Sequence, residues 1–162
     1  MKIAVCPGSF DPVTFGHLDI IQRAARLFDR VVVLIMVNPN KTPTFTTEER
    51  KEMLEESLKD LGCNNVEIAF SDGLLADYAR KIGATAIVKG LRAVSDYEYE
   101  FQMALTNKVL CEEVETVFLT TDSKYMYLSS SVVRQVARFG GDISPFVPAA
   151  LLPRIRTRLQ AE

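Results

Sequence analysis

The chain of 162 residues has one histidine and three cysteines, and this scarcity limits its chemistry. Cys6, Cys63 and Cys111 are odd in number and lack C-x-x-C spacing, which is typical of reduced thiols and predicts a cytoplasmic protein. With a single histidine, this pattern also argues against a zinc site. No second histidine exists to act as the base for a serine or cysteine nucleophile, so covalent catalysis is disfavoured.

The sequence also lacks a basic surplus and a long apolar run. Its net charge is −2, whereas dedicated nucleic-acid-binding proteins usually carry an excess of basic residues, so we expect no nucleic-acid partner. The longest run without a polar residue, V-V-V-L-I-M-V at 31–37, is far shorter than the about 20 residues of a membrane-spanning helix. No charged-then-apolar leader comes before the first apolar run, so we expect neither an export signal nor a membrane partner.

Two common nucleotide-binding signatures are absent. The chain contains neither the G-x-x-x-x-G-K-S/T of a P-loop nor the G-x-G-x-x-G of dinucleotide-binding dehydrogenases. Its composition is otherwise ordinary for a globular protein, with 48% hydrophobic and 25% charged residues. We predict a single domain over residues 1–162, in which any anion site is built from local loops.

Apolar, β-branched runs alternate with helical patterns along the chain. The runs predict five strands, at Ile3–Cys6, Val31–Val37, Val66–Phe70, Thr85–Val88 and Thr116–Thr120. Such alternation predicts an α/β fold, in which a five-stranded parallel sheet with right-handed crossovers is covered by helices on both faces.

The helix signals lie between these strands. Thr46-x-x-Glu49 is a capping box that opens a helix ending near Gly62. The other predicted helices lie over residues 18–28, 75–82, 94–111 and 132–139. Pro148 can start a last helix, but Pro153 is then expected to break or kink it.

The least ordinary residues come directly after the predicted strands. In an open α/β sheet, ligands bind beyond the carboxyl ends of the strands. The stretches at these ends are P-G-S-F-D-P-V-T-F-G-H (7–17), N-P-N-K-T-P (38–43), S-D-G-L-L (71–75), K-G-L-R (89–92) and T-D-S-K-Y-M-Y-L-S-S-S (121–131). We expect all five at one edge of the sheet, where His17, Lys41, Lys89 and Arg92 meet several hydroxyls. The sequence therefore predicts an anion pocket for more than one phosphate.

Each of these residues also has a purely structural explanation. Gly16 suits a turn, His17 in a first helical turn can be structural, Lys41 can be solvated, and Ser129–Ser131 can be an N-cap. Asp11 and the two prolines of the same stretch, Pro7 and Pro12, are interpreted as scaffold. The coincidence at one edge favours the functional interpretation, and a ring N–H of His17 can donate to a phosphate oxygen. Because no activated nucleophile is present, the chemistry that remains is direct transfer between bound phosphates.

Two motifs resemble those of the nucleotidyltransferase superfamily. T-F-G-H (14–17) resembles its T/H-x-G-H motif, and L-S-S-S-V-V-R (128–134) resembles its I-S-S-T/S-x-x-R signature. Within that superfamily, the opening stretch and especially K-G-L-R-A-V-S-D-Y-E-Y-E-F-Q-M (89–103) resemble the phosphopantetheine adenylyltransferases. The resemblance runs along essentially the whole chain and implies a Rossmann-like fold.

The resemblance implies adenylyl transfer from ATP to 4′-phosphopantetheine, giving dephospho-coenzyme A and pyrophosphate by in-line attack, with Mg²⁺ carried by the nucleotide phosphates. His17 would stabilise the transition state. The residues matching ATP contacts are Ser9, Phe10, His17, Gly90, Leu91, Arg92, Glu100, Tyr125, Met126, Tyr127, Leu128, Ser129, Ser130 and Ser131. Those matching contacts to phosphopantetheine are Ser9, Lys41, Leu75 and Lys89. The resemblance also implies a homohexamer inhibited by coenzyme A.

The chain departs from the family's commonest pattern at two positions, and two rival functions stay open. Ser9 stands where threonine is frequent, and Lys89 stands where arginine is frequent, which loses a two-pronged donor. Glu100 also suits a solvated helix face. One rival is another small-molecule nucleotidyltransferase, such as one acting on nicotinate mononucleotide, which the 89–100 stretch argues against. The other is a non-catalytic nucleotide sensor, which the presence of His17 and both lysines argues against.

Overall fold

Five parallel strands form one sheet, as the alternating pattern predicts. The computed structural model describes residues 1–160, apart from the side chains of residues 94 and 95. The strands are β1 (Ile3–Gly8), β2 (Arg30–Met36), β3 (Val66–Ser71), β4 (Ala86–Leu91) and β5 (Glu115–Thr120). They are arranged in the order β3-β2-β1-β4-β5, and every neighbouring pair is parallel. The α/β prediction is confirmed.

Helices connect the strands and cover both faces of the sheet. They are α1 (Phe15–Leu27), α2 (Thr47–Lys59), α3 (Leu75–Lys81), α4 (Val94–Leu110), α5 (Ser130–Arg138) and α6 (Leu152–Gln160). The capping box at Thr46 is confirmed, since its hydroxyl accepts from the N–H of Glu49 while the Glu49 carboxylate accepts from the N–H of Thr46. Among residues 1–160, no helix is both long and apolar enough to cross a membrane.

Side chains alternate between two hydrophobic clusters, one on each face of the sheet. In β1, Ala4 and Cys6 belong to the cluster under α1, α2, α5 and α6, whereas Ile3 and Val5 belong to the cluster under α3. This alternation follows from the two-residue period of a strand. The central strands are therefore buried on both faces, which explains their nearly continuous apolar sequences.

The strand order places a crevice between β1 and β4. The chain moves outward from β1 through β2 to β3 and then returns to β4 on the other side, so β1 and β4 flank the topological switch point. These two strands pair only at Ala4 with Ala86 and at Val5 with Ile87, whereas β1 pairs with β2 as far as Gly8. The carboxyl ends of β1 and β4 thus lie beside each other without pairing to one another.

The expectation for Pro153 is wrong. A short 3₁₀ turn (Ala149–Leu151) follows Pro148, and α6 then begins at Leu152. Pro153 therefore occupies the first turn of α6, where its missing N–H has no intrahelical partner and its fixed φ suits a helix. The proline lies in the first turn of the last helix and does not break it.

Candidate active site

A cavity of about 670 Å³ opens at the β1–β4 crevice. Residues that follow β1, β2, β4 and β5 line it, as expected for the carboxyl edge of a parallel sheet. The predicted site residues that it brings together are Ser9, Phe10, His17, Lys41, Lys89, Gly90, Arg92, Glu100, Leu128, Ser129, Ser130 and Ser131. One cavity therefore collects the histidine, the three cations and the serine cluster.

Five predicted site residues are not among those that line this cavity, namely Leu75, Leu91, Tyr125, Met126 and Tyr127. Leu75 begins α3 and packs against the cluster under that helix. It follows β3, an edge strand two positions from the crevice, which explains why it does not line the cavity. Tyr125 stacks on Phe15 with 6.2 Å between ring centroids, and Met126 and Tyr127 are exposed. Their roles as ligand contacts stay predictions.

His17 belongs to the N-terminal cap of α1. Thr14 is the N-cap residue, and its hydroxyl accepts from the backbone N–H of His17 at 3.4 Å. In return, Nδ1 of His17 accepts from the backbone N–H of Thr14 at 3.1 Å. The histidine thus fills the place that Glu or Gln usually takes in a capping box.

This cap also determines the protonation of the imidazole ring. A backbone N–H can only donate, so Nδ1 must be the acceptor and the ring hydrogen of neutral His17 resides on Nε2. Burial, helped by the positive charges of Arg92 and Lys89, lowers the pKa of His17 to about 4. At neutral pH the ring is therefore uncharged, and Nε2 is a hydrogen-bond donor in a half-buried side chain that lines the cavity.

Contacts with α4 and with the loop after β5 hold the two cations of the K-G-L-R stretch. Lys89 forms an ion pair of 3.3 Å with Glu100. Arg92 forms an ion pair of 3.2 Å with Asp96 and donates at 2.7 Å to the carbonyl of Leu128. The bond to Leu128 links the end of β4 to the loop that follows β5. It therefore places Arg92 beside the serine cluster that begins α5.

Two further arginines line the cavity, Arg50 and Arg134, and neither is among the predicted site residues. Arg134 donates to the carbonyl of Asp11 and, at 3.2 Å, to the hydroxyl of Ser131. It is the arginine of the L-S-S-S-V-V-R motif, so the motif itself carried the signal. Arg50 lies within the charged run E-E-R-K-E, whose pattern is that of a solvated helix face.

Hydrogen bonds to Asp11 connect the turn after β1 to the segment that follows Lys41. Its two carboxylate oxygens accept from the backbone N–H groups of Thr44 and Phe45, each at 2.9 Å, and Asp11 is only 8% exposed. The interpretation of Asp11 as scaffold fits this geometry. Ser130 also contacts this turn, by donating at 2.7 Å to the carbonyl of Pro12.

Gly90 permits β4 to approach α1 closely. A Cβ atom at this position would lie 2.9 Å from Cγ1 of Ile20, which is shorter than real carbon contacts allow. Both residues line the cavity. The glycine of the K-G-L-R stretch is thus required by packing beside the candidate site.

The fold and the site together define the class of protein. The family model described as cytidylyltransferase-like matches residues 5–136, so the chain is a nucleotidyltransferase of this class. Phosphopantetheine adenylyltransferase of Caldanaerobacter subterraneus is 54% identical over 160 residues, covering 99% of each chain. The enzyme of the same name from Alkaliphilus metalliredigens is 57% identical over 152 residues, covering 94% of this chain and 96% of the relative. The chain belongs to the phosphopantetheine adenylyltransferase family, which confirms the resemblance.

Solved structures show the same fold at much lower identity. A nicotinic acid mononucleotide adenylyltransferase from Plasmodium falciparum is similar with a TM-score of 0.66 and 15% identity, over 99% of this chain and 95% of that one. A bifunctional NMN adenylyltransferase/ADP ribose pyrophosphatase from Francisella tularensis has a TM-score of 0.66 and 21% identity, over 99% of this chain and 52% of that one. These similarities confirm the Rossmann-like architecture.

Proposed function

We propose that the protein transfers the adenylyl group of ATP to 4′-phosphopantetheine, producing dephospho-coenzyme A and pyrophosphate. The observation that carries the proposal is a single cavity in which neutral His17 lies with Lys41, Lys89 and Arg92. The names of relatives more than half identical to the chain supply the substrates.

The reaction is a direct displacement at the α-phosphorus of ATP. A phosphate oxygen of the acceptor forms a bond to this phosphorus as the bond to the β-phosphate oxygen breaks, and the bonding electrons leave with pyrophosphate. The Nε2–H group of His17 donates to a non-bridging oxygen of the α-phosphate, while Lys89 and Arg92 stabilise the negative charge. Positioning both substrates in one cavity supplies most of the remaining rate enhancement.

The strand order gives the cavity two ends, one lined by residues after β1 and β2 and one lined by residues after β4 and β5. Ser9 and Lys41 follow β1 and β2, and we assign this end to phosphopantetheine. Arg92 and the serines at the N-terminus of α5 follow β4 and β5, and we assign this end to the nucleotide, since a helix N-terminus offers N–H donors to phosphate. Lys89, on β4 beside the crevice, lies between the two ends.

We propose that Mg²⁺ enters bound to the ATP phosphates. Both carboxylates that line the cavity already have partners, since Asp11 binds backbone N–H groups and Glu100 pairs with Lys89. Among residues 1–160, no cluster of three or more His, Cys, Asp or Glu side chains could hold a metal ion. The ion would neutralise phosphate charge, and such Mg²⁺ typically retains several waters.

An assay of pyrophosphate release tests this function against its nearest rival. The fold is shared with enzymes named for nicotinate and nicotinamide nucleotides, so it does not discriminate between acceptors. With ATP and Mg²⁺ present, we expect turnover with 4′-phosphopantetheine and little with nicotinate mononucleotide. Faster turnover of nicotinate mononucleotide would overturn the proposed acceptor, and no turnover with either would favour the nucleotide sensor.

We further propose a cytoplasmic homohexamer inhibited by coenzyme A, as the family resemblance implies. The surface of α4 supports assembly, because it exposes several large apolar side chains. These are Tyr97, Tyr99, Phe101, Leu105 and Val109. Analytical ultracentrifugation measures the stoichiometry, and a monomer at micromolar concentration would contradict the assembly.

A further inference from the structure

Arg50 is a buried cation whose hydrogen-bond partners within residues 1–160 are all uncharged. It lies on α2 and is 3% exposed. Its guanidinium donates to the carbonyl of Ser9 at 2.9 Å, to the carbonyl of Thr46 at 3.3 Å and to the hydroxyl of Thr47 at 3.2 Å. Among residues 1–160, no carboxylate oxygen lies within 4.0 Å of it.

Other cations at the cavity are compensated differently. Lys89 and Arg92 each have a carboxylate partner, and Lys41 is exposed to solvent. Arg134 also donates to uncharged groups, a carbonyl and a hydroxyl, but its side chain is only half-buried and stays in reach of solvent. Asp11, the acid of the same turn as Ser9, directs both carboxylate oxygens to backbone N–H groups. Because burying an uncompensated charge is costly, such a cation usually has a counter-charge, and within residues 1–160 none is in contact with Arg50.

The position of Arg50 indicates where a counter-charge would lie. Arg50 lines the cavity and bonds directly to the backbone of Ser9, at the end that also contains Lys41. A phosphate at that end would be attracted by the buried guanidinium with little screening from solvent. The bond to the Ser9 carbonyl also fixes the turn that presents the Ser9 hydroxyl.

We propose that Arg50 is a further specificity residue for the acceptor, selecting its phosphate by charge and by fixing Ser9. This inference rests on the proposed function. Arg50 would distinguish a phosphorylated acceptor from the same molecule without phosphate, since the pantetheine arm carries no charge that Arg50 would recognise.

Isothermal titration calorimetry with 4′-phosphopantetheine and with pantetheine tests the inference. We expect Arg50→Gln to weaken 4′-phosphopantetheine binding about 10- to 100-fold, which is the range for losing a charged hydrogen-bonding partner. Pantetheine binding should change less than about twofold. ATP binding, for which Ser9 is also a predicted contact, should weaken less than 4′-phosphopantetheine binding. Arg50→Lys keeps the charge and should lose less than Arg50→Gln.

Lys51→Gln is the matched control, because it removes the same charge from the adjacent, exposed position of α2. It should leave all three affinities unchanged. Arg50→Met replaces Arg50→Gln if the glutamine variant does not fold, since methionine fills similar space without unsatisfied donors. If only Arg50→Lys folds, a loss confined to the phosphorylated ligand still supports the inference.

The outcomes of these titrations separate the proposed acceptor from the proposed role of Arg50. A wild-type protein that binds pantetheine as tightly as 4′-phosphopantetheine would contradict the assigned acceptor site. A wild-type preference for the phosphorylated ligand that Arg50→Gln retains would overturn the role of Arg50 alone. An equal loss of pantetheine, 4′-phosphopantetheine and ATP binding would identify Arg50 as structural and overturn it as well.

Discussion

At the scale of single residues, His17 serves structure and chemistry through different ring nitrogens. Nδ1 accepts from the N–H of Thr14 and completes the cap of α1, which leaves the ring hydrogen on Nε2. The structural and functional interpretations of this residue are therefore compatible. A substitution must separate the two roles before a loss of activity can be assigned to catalysis.

Replacing His17 by alanine and by glutamine makes that separation. We expect both variants to lose about 100- to 1,000-fold in kcat, because each lacks the imidazole donor to the transition state. Glutamine is a natural partner in a capping box, so His17→Gln should recover about 1 kcal/mol of stability relative to His17→Ala. ATP affinity should change little in either variant.

Steady-state kinetics and thermal unfolding measure these effects side by side. A glutamine variant that regained full activity with its stability would show that His17 acts only as a cap. An equal loss of ATP affinity and kcat would show uniform binding instead of transition-state stabilisation.

The low pKa of His17 predicts a specific dependence of stability on pH. Because the folded pKa is about 4 and the unfolded value is near 6.5, the unfolded chain binds more protons at this site between these pH values. The contribution of His17 to stability is thus present above pH 6.5 and lost as the pH falls toward 4. An NMR titration follows the protonation of His17 directly, because the chain has a single histidine.

We expect the imidazole resonance of the free protein to titrate with a midpoint near 4. Binding of a phosphate-bearing ligand should raise this midpoint, since a nearby negative charge favours the imidazolium. A midpoint near 6.5 in the free protein would contradict the burial and the positive surroundings of the ring.

At the scale of elements, local sequence signals predicted the helices and strands but not the hydrogen bonds that connect one element or loop to another. The box Thr46-x-x-Glu49 and the runs of β-branched residues act over a few residues, so a sequence displays them directly. The bonds of Asp11 to Thr44 and of Arg50 to Ser9 join residues 33 and 41 positions apart. Such partners depend on the tertiary fold, which is why Arg50 resembled a solvated helix residue.

Replacing Asp11 by alanine tests how the turn after β1 is held against the segment after Lys41. Asp11→Ala leaves two backbone N–H groups, those of Thr44 and Phe45, without their acceptors and should cost about 2 kcal/mol or more of unfolding free energy. Because these residues follow Lys41, we also expect a higher KM for 4′-phosphopantetheine and a nearly unchanged KM for ATP. Urea denaturation and steady-state kinetics measure the two effects.

Asp29→Ala is the matched control for Asp11→Ala. Asp29 also accepts from a backbone N–H, that of Lys2 at 2.6 Å, but it is exposed. Water can replace that acceptor, so we expect a loss well under 1 kcal/mol. Equal losses in the two variants would show that burial of the Asp11 bonds is not what matters.

At the scale of the whole molecule, the sheet topology explains why distant loops form one site. The rule that ligands bind at the carboxyl edge of a parallel sheet predicted that His17, Lys41, Lys89 and Arg92 would meet. It could not predict that β1 and β4 separate after two paired positions, or that the loop after β3 lies outside the described lining. Those details depend on strand order and register, which local patterns do not encode.

The central claim is that one cavity binds both substrates at once and that transfer is direct. Stereochemistry at phosphorus tests it most simply. ATP made chiral at the α-phosphorus with sulfur is converted with 4′-phosphopantetheine, and the configuration of the thio-substituted dephospho-coenzyme A is determined. One in-line displacement predicts inversion. Retention would indicate two displacements through a covalent adenylyl-protein and would contradict the account.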